Sequence, residues 1–269
     1  MAHGPIHYTC PMTFSLSGGL EVAVQAARRA GVIHLEHLGR VKTVTSKSTY
    51  SDLVTEVDGK SEQAIRQVIA AAYPSHAVLG EEGGQEGSSD YRWVVDPLDG
   101  TVNYAHGFPV FCASIALEYQ QESIVAAVYD PTRDELFTAT RGGGAFLNGQ
   151  PMQVSSTPTL TTPALISTGF PYDLTGERNL AHVVKLLRMG VPVRRPGAAA
   201  LDLCNVACGR MDAYWEIGVQ RWDVAAGALI VQEAGGSSTD AHGTPTPHGE
   251  MIVSSNGHLH AELLDILNG

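Results

Sequence analysis

Apolar residues follow two rhythms along this chain, and the change between them separates helices from strands. From Leu20 to about Leu38, the residues Val22, Ala26, Ala30, Ile33 and Leu38 recur at helical spacing and predict an amphipathic helix. A second helix is predicted from Lys60 to about Tyr73, stopped by Pro74, with Asp58 near its start. Short β-rich runs follow at Ala77 to Leu79, Tyr91 to Val95, Ser114 to Tyr119, Ser123 to Tyr129 and Glu135 to Thr140. Gln120-Gln121-Glu122 reads as a hairpin connection. Gly142-Gly143-Gly144 and Asn148-Gly149 punctuate another hairpin, around a short strand at Ala145 to Leu147.

The second half alternates. Strands are predicted at Ala164 to Thr168, Asp212 to Ile217 and around Val253, and helices at Glu177 to Met189, Ala199 to Cys208, Val224 to Ala234 and His258 to Leu267. Strands grouped first and then mixed with helices imply stacked layers of sheet and helix, an α+β or α/β arrangement other than a regular doubly wound sheet. The first dozen or so residues, rich in His, Pro and Gly, show no apolar period, and a flexible tail over residues 1–15 is expected. Residues 16–269 form the expected folded unit.

Composition narrows the partners. Twenty-eight acidic residues against 17 basic give a net charge of −11 over 269 residues, which argues against a protein that binds nucleic-acid backbone by counterion release. An acidic protein acting on an anionic substrate must neutralise charge locally, and bound divalent metal does so without a basic patch. The four cysteines, Cys10, Cys112, Cys204 and Cys208, form no paired CxxC pattern. Cys204 and Cys208, four apart in an apolar helical stretch, read as small buried hydrophobes. No apolar run approaches the roughly 20 residues of a membrane helix, and the start lacks a signal-peptide pattern. No membrane association is expected, and a cytoplasmic location is.

The chemistry concentrates in carboxylates. Asp96 and Asp99 flank Pro97-Leu98 directly after the apolar run Trp93-Val94-Val95. A strand delivering two carboxylates into a tight turn aims both at one place, as a pair of metal ions about 3.5–4 Å apart requires; a plain turn is the competing reading, since Asp-Pro and Asp-Gly are common turn dipeptides. Gly100 and Thr101 suit a backbone turn that opens a helix and accepts a phosphate. Glu81 and Glu82, in Gly80-Glu81-Glu82-Gly83-Gly84, are either a solvated loop or two acids sharing a cation. Asp58 and Asp223 each have an ordinary reading as helix caps, and Asp52 as a loop acid.

In combination these segments resemble the inositol monophosphatase family. The residues are Asp52-Leu53-Val54-Thr55-Glu56-Val57-Asp58, Gly80-Glu81-Glu82, Trp93 through Tyr104, and Trp222-Asp223-Val224-Ala225-Ala226-Gly227, in the family's order. The resemblance runs from about residue 20 to the C-terminus. It implies a layered α-β-α-β-α sandwich of the sugar phosphatase type, with two α/β halves (about 16–155 and 156–269) sharing the active site, a homodimer, and Mg²⁺-dependent, lithium-inhibited hydrolysis of a small phosphomonoester.

Carried over, Glu81, Asp96 and the Leu98 carbonyl would hold one Mg²⁺, and Asp96, Asp99 and Asp223 a second. Glu82 would support a third, weaker one. Asp58 and Thr101 would orient and deprotonate the attacking water, with Glu81 completing the catalytic set. The Gly100 and Thr101 amides would bind phosphate, and Ala199 and Glu216 would contact substrate hydroxyls. Lys47 would lie near the entrance. His106, beside the phosphate turn, is a weaker candidate acid because the metals already supply that role. Inositol 1-phosphate is the expected substrate. Histidinol phosphate, fructose 1,6-bisphosphate or a nucleotide 3′-phosphate are the alternatives, as is a regulatory binding protein that retains the phosphatase fold.

Overall fold

The computed structural model describes residues 14–41, 44–46, 53–170, 176–245 and 250–269. The expected tail up to residue 13, Cys10, Lys47 and Asp52 lie outside the described residues. The chain opens with helix α1 (Leu16–His37), strands β1 (Val44–Ser46) and β2 (Leu53–Thr55), and helix α2 (Glu56–Ala72). Strands β3 (Ala77–Gly80), β4 (Gly84–Glu86) and β5 (Tyr91–Asp99) lead into a short helix α3 (Thr101–Ala105). Then come β6 (Cys112–Tyr119), β7 (Glu122–Asp130), β8 (Glu135–Thr140), β9 (Gly144–Leu147), β10 (Gln150–Pro151) and β11 (Ile166–Thr168). The remainder is α4 (Glu177–Arg188), β12 (Val193–Arg194), α5 (Ala199–Ala207), β13 (Ala213–Ile217), α6 (Arg221–Glu233), β14 (Ser237–Thr239), β15 (Met251–Ser255) and α7 (His260–Asn268).

The long elements fall where the apolar pattern puts them. The elements the pattern leaves out are β1, β2, β4, β10, β12, β14 and α3, all of two to five residues and too short for any period to register. The turn at Gln120-Gln121 has positive φ at both residues (50° and 71°), the backbone of a tight two-residue hairpin.

Apart from β1 and β2, which pair antiparallel as a separate two-stranded sheet, two large sheets and three helical layers alternate. One sheet has eight strands in the order β10-β9-β8-β7-β6-β5-β3-β4, and the other has five in the order β12-β11-β13-β15-β14. The central strands are apolar on both faces, and period-two alternation sends neighbours to opposite layers. Trp93 and Val95 of β5, Ile115 and Leu117 of β6, and Val125 and Ala127 of β7 pack beneath α1 and α2. Val94, Ala116, Ala126 and Val128 face the other way, onto α5 and α6. Helices α5 and α6 fill the space between the sheets, touching Tyr214 and Ile252 of the second sheet. The outer face of that sheet, Ala213, Trp215, Met251 and Val253, is covered by Leu186 of α4 and by Leu263, Ile266 and Leu267 of α7. The result is an α-β-α-β-α sandwich. Helix α1 reaches close to its sheet because its buried face is small, with Ala23, Ala26, Ala27, Ala30 and Gly31. A Cβ at Gly31 would stand 2.5 Å from the Tyr129 ring.

Candidate active site

The site begins with a fault in a strand. Strand β5 pairs with β6 as far as Asp96↔Ser114 and resumes at Asp99↔Cys112, so three steps on β5 match two on β6. Such a bulge re-aims the side chains around it. Pro97, which has no N–H for the ladder, occupies the interruption, and its carbonyl accepts a hydrogen bond from His34 Nε2 at 2.8 Å. Burial holds the His34 pKa down to about 4, so the ring is neutral and must carry its proton on Nε2. Asp96 Oδ1 accepts from the Leu98 amide at 3.0 Å. Leu98 packs with Val57, Tyr104 and Phe111 in a small separate core.

Gly100 turns the chain into α3 with φ +88°, and a Cβ there would lie 2.7 Å from the Val110 carbonyl oxygen; both features restrict the position to glycine. Thr101 then opens α3, and its Oγ1 lies 3.0 Å from both Asp58 Oδ1 and the Leu98 carbonyl. Asp58, fully buried, reaches this point as the third residue of α2. Its Oδ2 accepts from the Thr55 amide at 2.9 Å and the Thr55 hydroxyl at 2.6 Å. The cap itself is Thr55, and Asp58 is the reciprocal member of a capping box. Asp223 holds the equivalent place in α6, accepting from the Gln220 amide at 2.6 Å. Both aspartates therefore have a local helix-starting role and, on their other side, a place in or against the cavity.

That cavity, about 120 Å³, is lined by Glu81, Asp96, Leu98, Asp99, Gly100, Thr101, Val102, Ala199, Glu216 and Asp223, together with Gly169, Phe170, Arg195 and Gly197. The Ala200 amide, in the first turn of α5, donates to Asp99 Oδ2 at 2.8 Å. Asn103 ties α3 to the approach of α5 through the Pro196 carbonyl at 2.9 Å. Glu216 Oε2 accepts from the Tyr214 hydroxyl at 2.5 Å. Gly169 gives the Glu216 carboxylate its room, since a Cβ at 169 would land on it.

Of the residues singled out from sequence, the cavity gathers Glu81, Asp96, Leu98, Asp99, Gly100, Thr101, Ala199, Glu216 and Asp223, and Asp58 stands against it through Thr101. Glu82 does not line this cavity but a neighbouring hollow beside α2, with its amide on Glu62. His106 is exposed at the end of α3 and does not line the cavity. Sequence reasoning missed Gly169, Phe170 and Arg195, which lie in loops and carry no local pattern. It also passed over Thr55, although Thr-x-x-Asp is a capping-box spacing.

Charge decides what the cavity can hold. Burial, followed by the neighbouring Glu81, Asp99 and Asp223, pushes the Asp96 pKa well above the usual carboxylate range. Asp223 is likewise pushed well above that range, first by loss of hydration and then by Asp99, Glu81 and Glu216, against the Gln220 amide. Burial raises Asp99 to about 6, against the Ala200 amide, and Glu216 to about 7, against the Tyr214 hydroxyl. Asp58 is also raised by burial, with its Thr55 and Thr101 hydrogen bonds opposing. Among the described residues, no three His, Cys, Asp or Glu side chains are drawn together tightly enough to chelate an ion as they stand. Instead, carboxylates crowded into one cavity repel one another, which raises their pKa values, and a cation would relieve that repulsion. All the donors are oxygens, the set that suits a hard divalent cation such as magnesium. The residues therefore fit a divalent metal.

A model of the inositol monophosphatase family matches residues 15–268. An inositol-1-monophosphatase of Synechocystis is 44% identical over 254 residues, covering 92% of this chain and 88% of that protein. A protein named Nus factor SuhB from Pseudomonas aeruginosa is 47% identical over 234 residues, covering 84% and 86%. Among solved structures, the extragenic suppressor protein suhB of Bartonella henselae superposes with a TM-score of 0.88 at 40% identity, covering 93% of this chain and 98% of that one. The inositol monophosphatase of Anabaena superposes with a TM-score of 0.85, also at 40% identity, covering 94% and 96%.

Proposed function

The chain belongs to the inositol monophosphatase family and is a phosphatase; we propose that its cation is magnesium and its substrate inositol 1-phosphate, hydrolysed to inositol and phosphate by attack of water. The observation that carries the reading is the Thr101–Asp58 hydrogen bond beside a cavity of buried carboxylates. Magnesium, when bound, supplies positive charge against the phosphate dianion and makes water acidic enough to attack. Glu81, Asp96, the Leu98 carbonyl, Asp99 and Asp223 are the residues that would hold it.

The rest is done by the chain. Thr101 Oγ1 donates to Asp58 Oδ1, which turns its lone pairs outward to take a hydrogen from water, and Asp58 is the final acceptor. Raised by burial, the Asp58 carboxylate is a better base than an exposed one. The Gly100 and Thr101 amides open α3 with no partner inside the helix and suit a phosphate oxygen. Glu216 and the backbone at Ala199 suit the hydroxyls of a polyol. Five acids and one cation, Arg195, among the described lining residues favour a single phosphate over a bisphosphate.

Phosphate release from inositol 1-phosphate, histidinol phosphate, fructose 1,6-bisphosphate and 3′-phosphoadenosine 5′-phosphate tests this, with magnesium, with chelator and with added lithium. Preference for inositol 1-phosphate, lost with chelator and reduced by lithium, is expected, from a protein that sizes as a dimer. Preference for another ester refutes the substrate assignment, and full activity in chelator refutes the metal. A second reading, a regulatory binding role, is favoured by the relatives named Nus factor. Capture of a specific partner by a catalytically dead variant would support it.

A further inference from the structure

Glu62 is a buried acid that the reaction does not use. It is 4% exposed and lies one turn beyond Asp58 on the same face of α2. Its Oε2 accepts the Glu82 amide at 2.8 Å, and its Oε1 accepts the Gly83 amide at 2.9 Å and Arg66 Nε at 2.8 Å. Arg66 continues to the Gly84 carbonyl through Nη2 at 2.8 Å and meets Glu86 at 3.2 Å. Two side chains of α2 thus hold the backbone and one side chain of the segment 82–86. On the other side of that segment the Glu81 amide donates to the Val95 carbonyl at 3.2 Å. Glu81 is therefore set between β5 and this clamp.

The neighbouring glycines are the space the clamp occupies. A Cβ at Gly80 would lie 2.5 Å from the Glu62 carboxyl carbon, and one at Gly83 would lie 2.6 Å from Oε1. The run Gly80-Glu81-Glu82-Gly83-Gly84 is shaped around a carboxylate that arrives from another element. A buried carboxylate bound to a guanidinium and two amides is held far more firmly than a surface ion pair.

We propose that Glu62 is a positioning residue for metal binding: by holding the Glu82 and Gly83 amides it fixes the backbone from which Glu81 reaches the cavity. It sets the affinity for the cation without touching cation or substrate. The inference rests on Glu81 being a magnesium ligand. Helix α2 then carries the proton acceptor and the support of a metal ligand on one face, a turn apart.

Two substitutions disturb the clamp from opposite sides. Glu62→Gln turns an acceptor into an amino group facing a backbone N–H, and Gly83→Ala displaces the carboxylate while leaving Glu62 in place. Magnesium binding is measured by calorimetry, and hydrogen exchange at the 82 and 83 amides is measured in metal-free protein. Both variants should bind magnesium roughly 10–100-fold more weakly, the usual loss on removing a ligand's support. Their 82 and 83 amides should exchange faster than in wild type, and kcat should recover at saturating magnesium. A lowered melting temperature with unchanged magnesium affinity would mean a merely structural role and would overturn the inference. If Glu62→Gln fails to fold, Gly83→Ala and Arg66→Lys carry the same measurement. Wild-type binding matched by the variants overturns this inference alone, whereas a wild type that binds no magnesium overturns the reading of the cavity.

Discussion

Asp58→Asn separates the chemistry of the site from its architecture. Asp58 accepts three hydrogen bonds, two from Thr55 on Oδ2 and one from Thr101 on Oδ1. With the amide oxygen in the Oδ2 position, both Thr55 bonds survive and the helix stays capped. The new amino group then faces Thr101 Oγ1, which accepts from it and turns its own proton to the Leu98 carbonyl, already 3.0 Å away. Every contact persists, but the direction of the chain reverses and no group is left to take a proton from water. Loss of a general base costs about 10²–10⁴ in rate, equivalent to roughly 2.7–5.5 kcal/mol of barrier.

Stability should move little, and its pH dependence has a sign. Burial raises the Asp58 pKa above its unfolded value, so the penalty of ionising it in the folded state is absent in acid. That penalty grows as pH rises from the unfolded carboxylate value of 3.8 to the raised folded value, and is constant above it. The variant escapes it and should gain on the wild type with rising pH, while staying within about 1 kcal/mol at neutrality because charge-assisted bonds are weakened at the same time. Steady-state kinetics at saturating magnesium, and urea melts from pH 3 up to neutrality, measure both. A kcat within tenfold of wild type, in a folded variant, would refute the assignment of Asp58 as proton acceptor.

Gly100→Ala should destabilise by about 2–4 kcal/mol, from the left-handed backbone and the overlap with the Val110 carbonyl; an unchanged urea midpoint would remove the argument that only glycine fits. His34 has a folded pKa of about 4 against 6.5, so the unfolded chain takes up its proton first and the histidine's contribution is lost as pH falls from 6.5 to 4. At roughly 1.4 kcal/mol per pH unit that is about 3 kcal/mol, read as the difference in acid sensitivity between wild type and His34→Gln; parallel profiles would mean that the ring titrates normally. Glu216→Gln should raise KM for inositol 1-phosphate roughly 10–100-fold, the loss of a charged hydrogen bond, while leaving magnesium dependence alone. Equal loss on every substrate, cured by extra magnesium, would contradict a substrate contact.

What sequence made legible was whatever is local or periodic. The β-rich apolar runs at 91–95 and 123–129 and the spacing of Ala26 and Ala30 placed the long strands and helices, because both faces of the sheets and one face of α1 are apolar. The Asp96–Thr101 segment showed its carboxylates and its turn because one strand end contains them all. Glu62 was invisible: a glutamate in a helix normally reads as solvated, and its partners are amides about twenty residues away. Arg195, Phe170 and Gly169 reach the cavity through tertiary packing alone. Glu82, although adjacent to Glu81 in sequence, lines a different hollow from it.

Helices α5 and α6, which fill the space between the sheets, come late in the chain, and this matters during synthesis. By the time residue 140 has been made, strands β5 to β8 are complete, and α1 and α2 are available to cover one face of them. The other face, with Val94, Ala116, Ala126, Val128, Phe137 and Ala139, has no cover until residues 199–233 leave the ribosome. At the 5–20 residues per second typical of translation, an apolar sheet surface stays exposed for roughly 5–20 seconds. A message truncated between these points yields a sticky half-sandwich lacking Asp223, and chains stalled there are the ones a cell must shield or degrade.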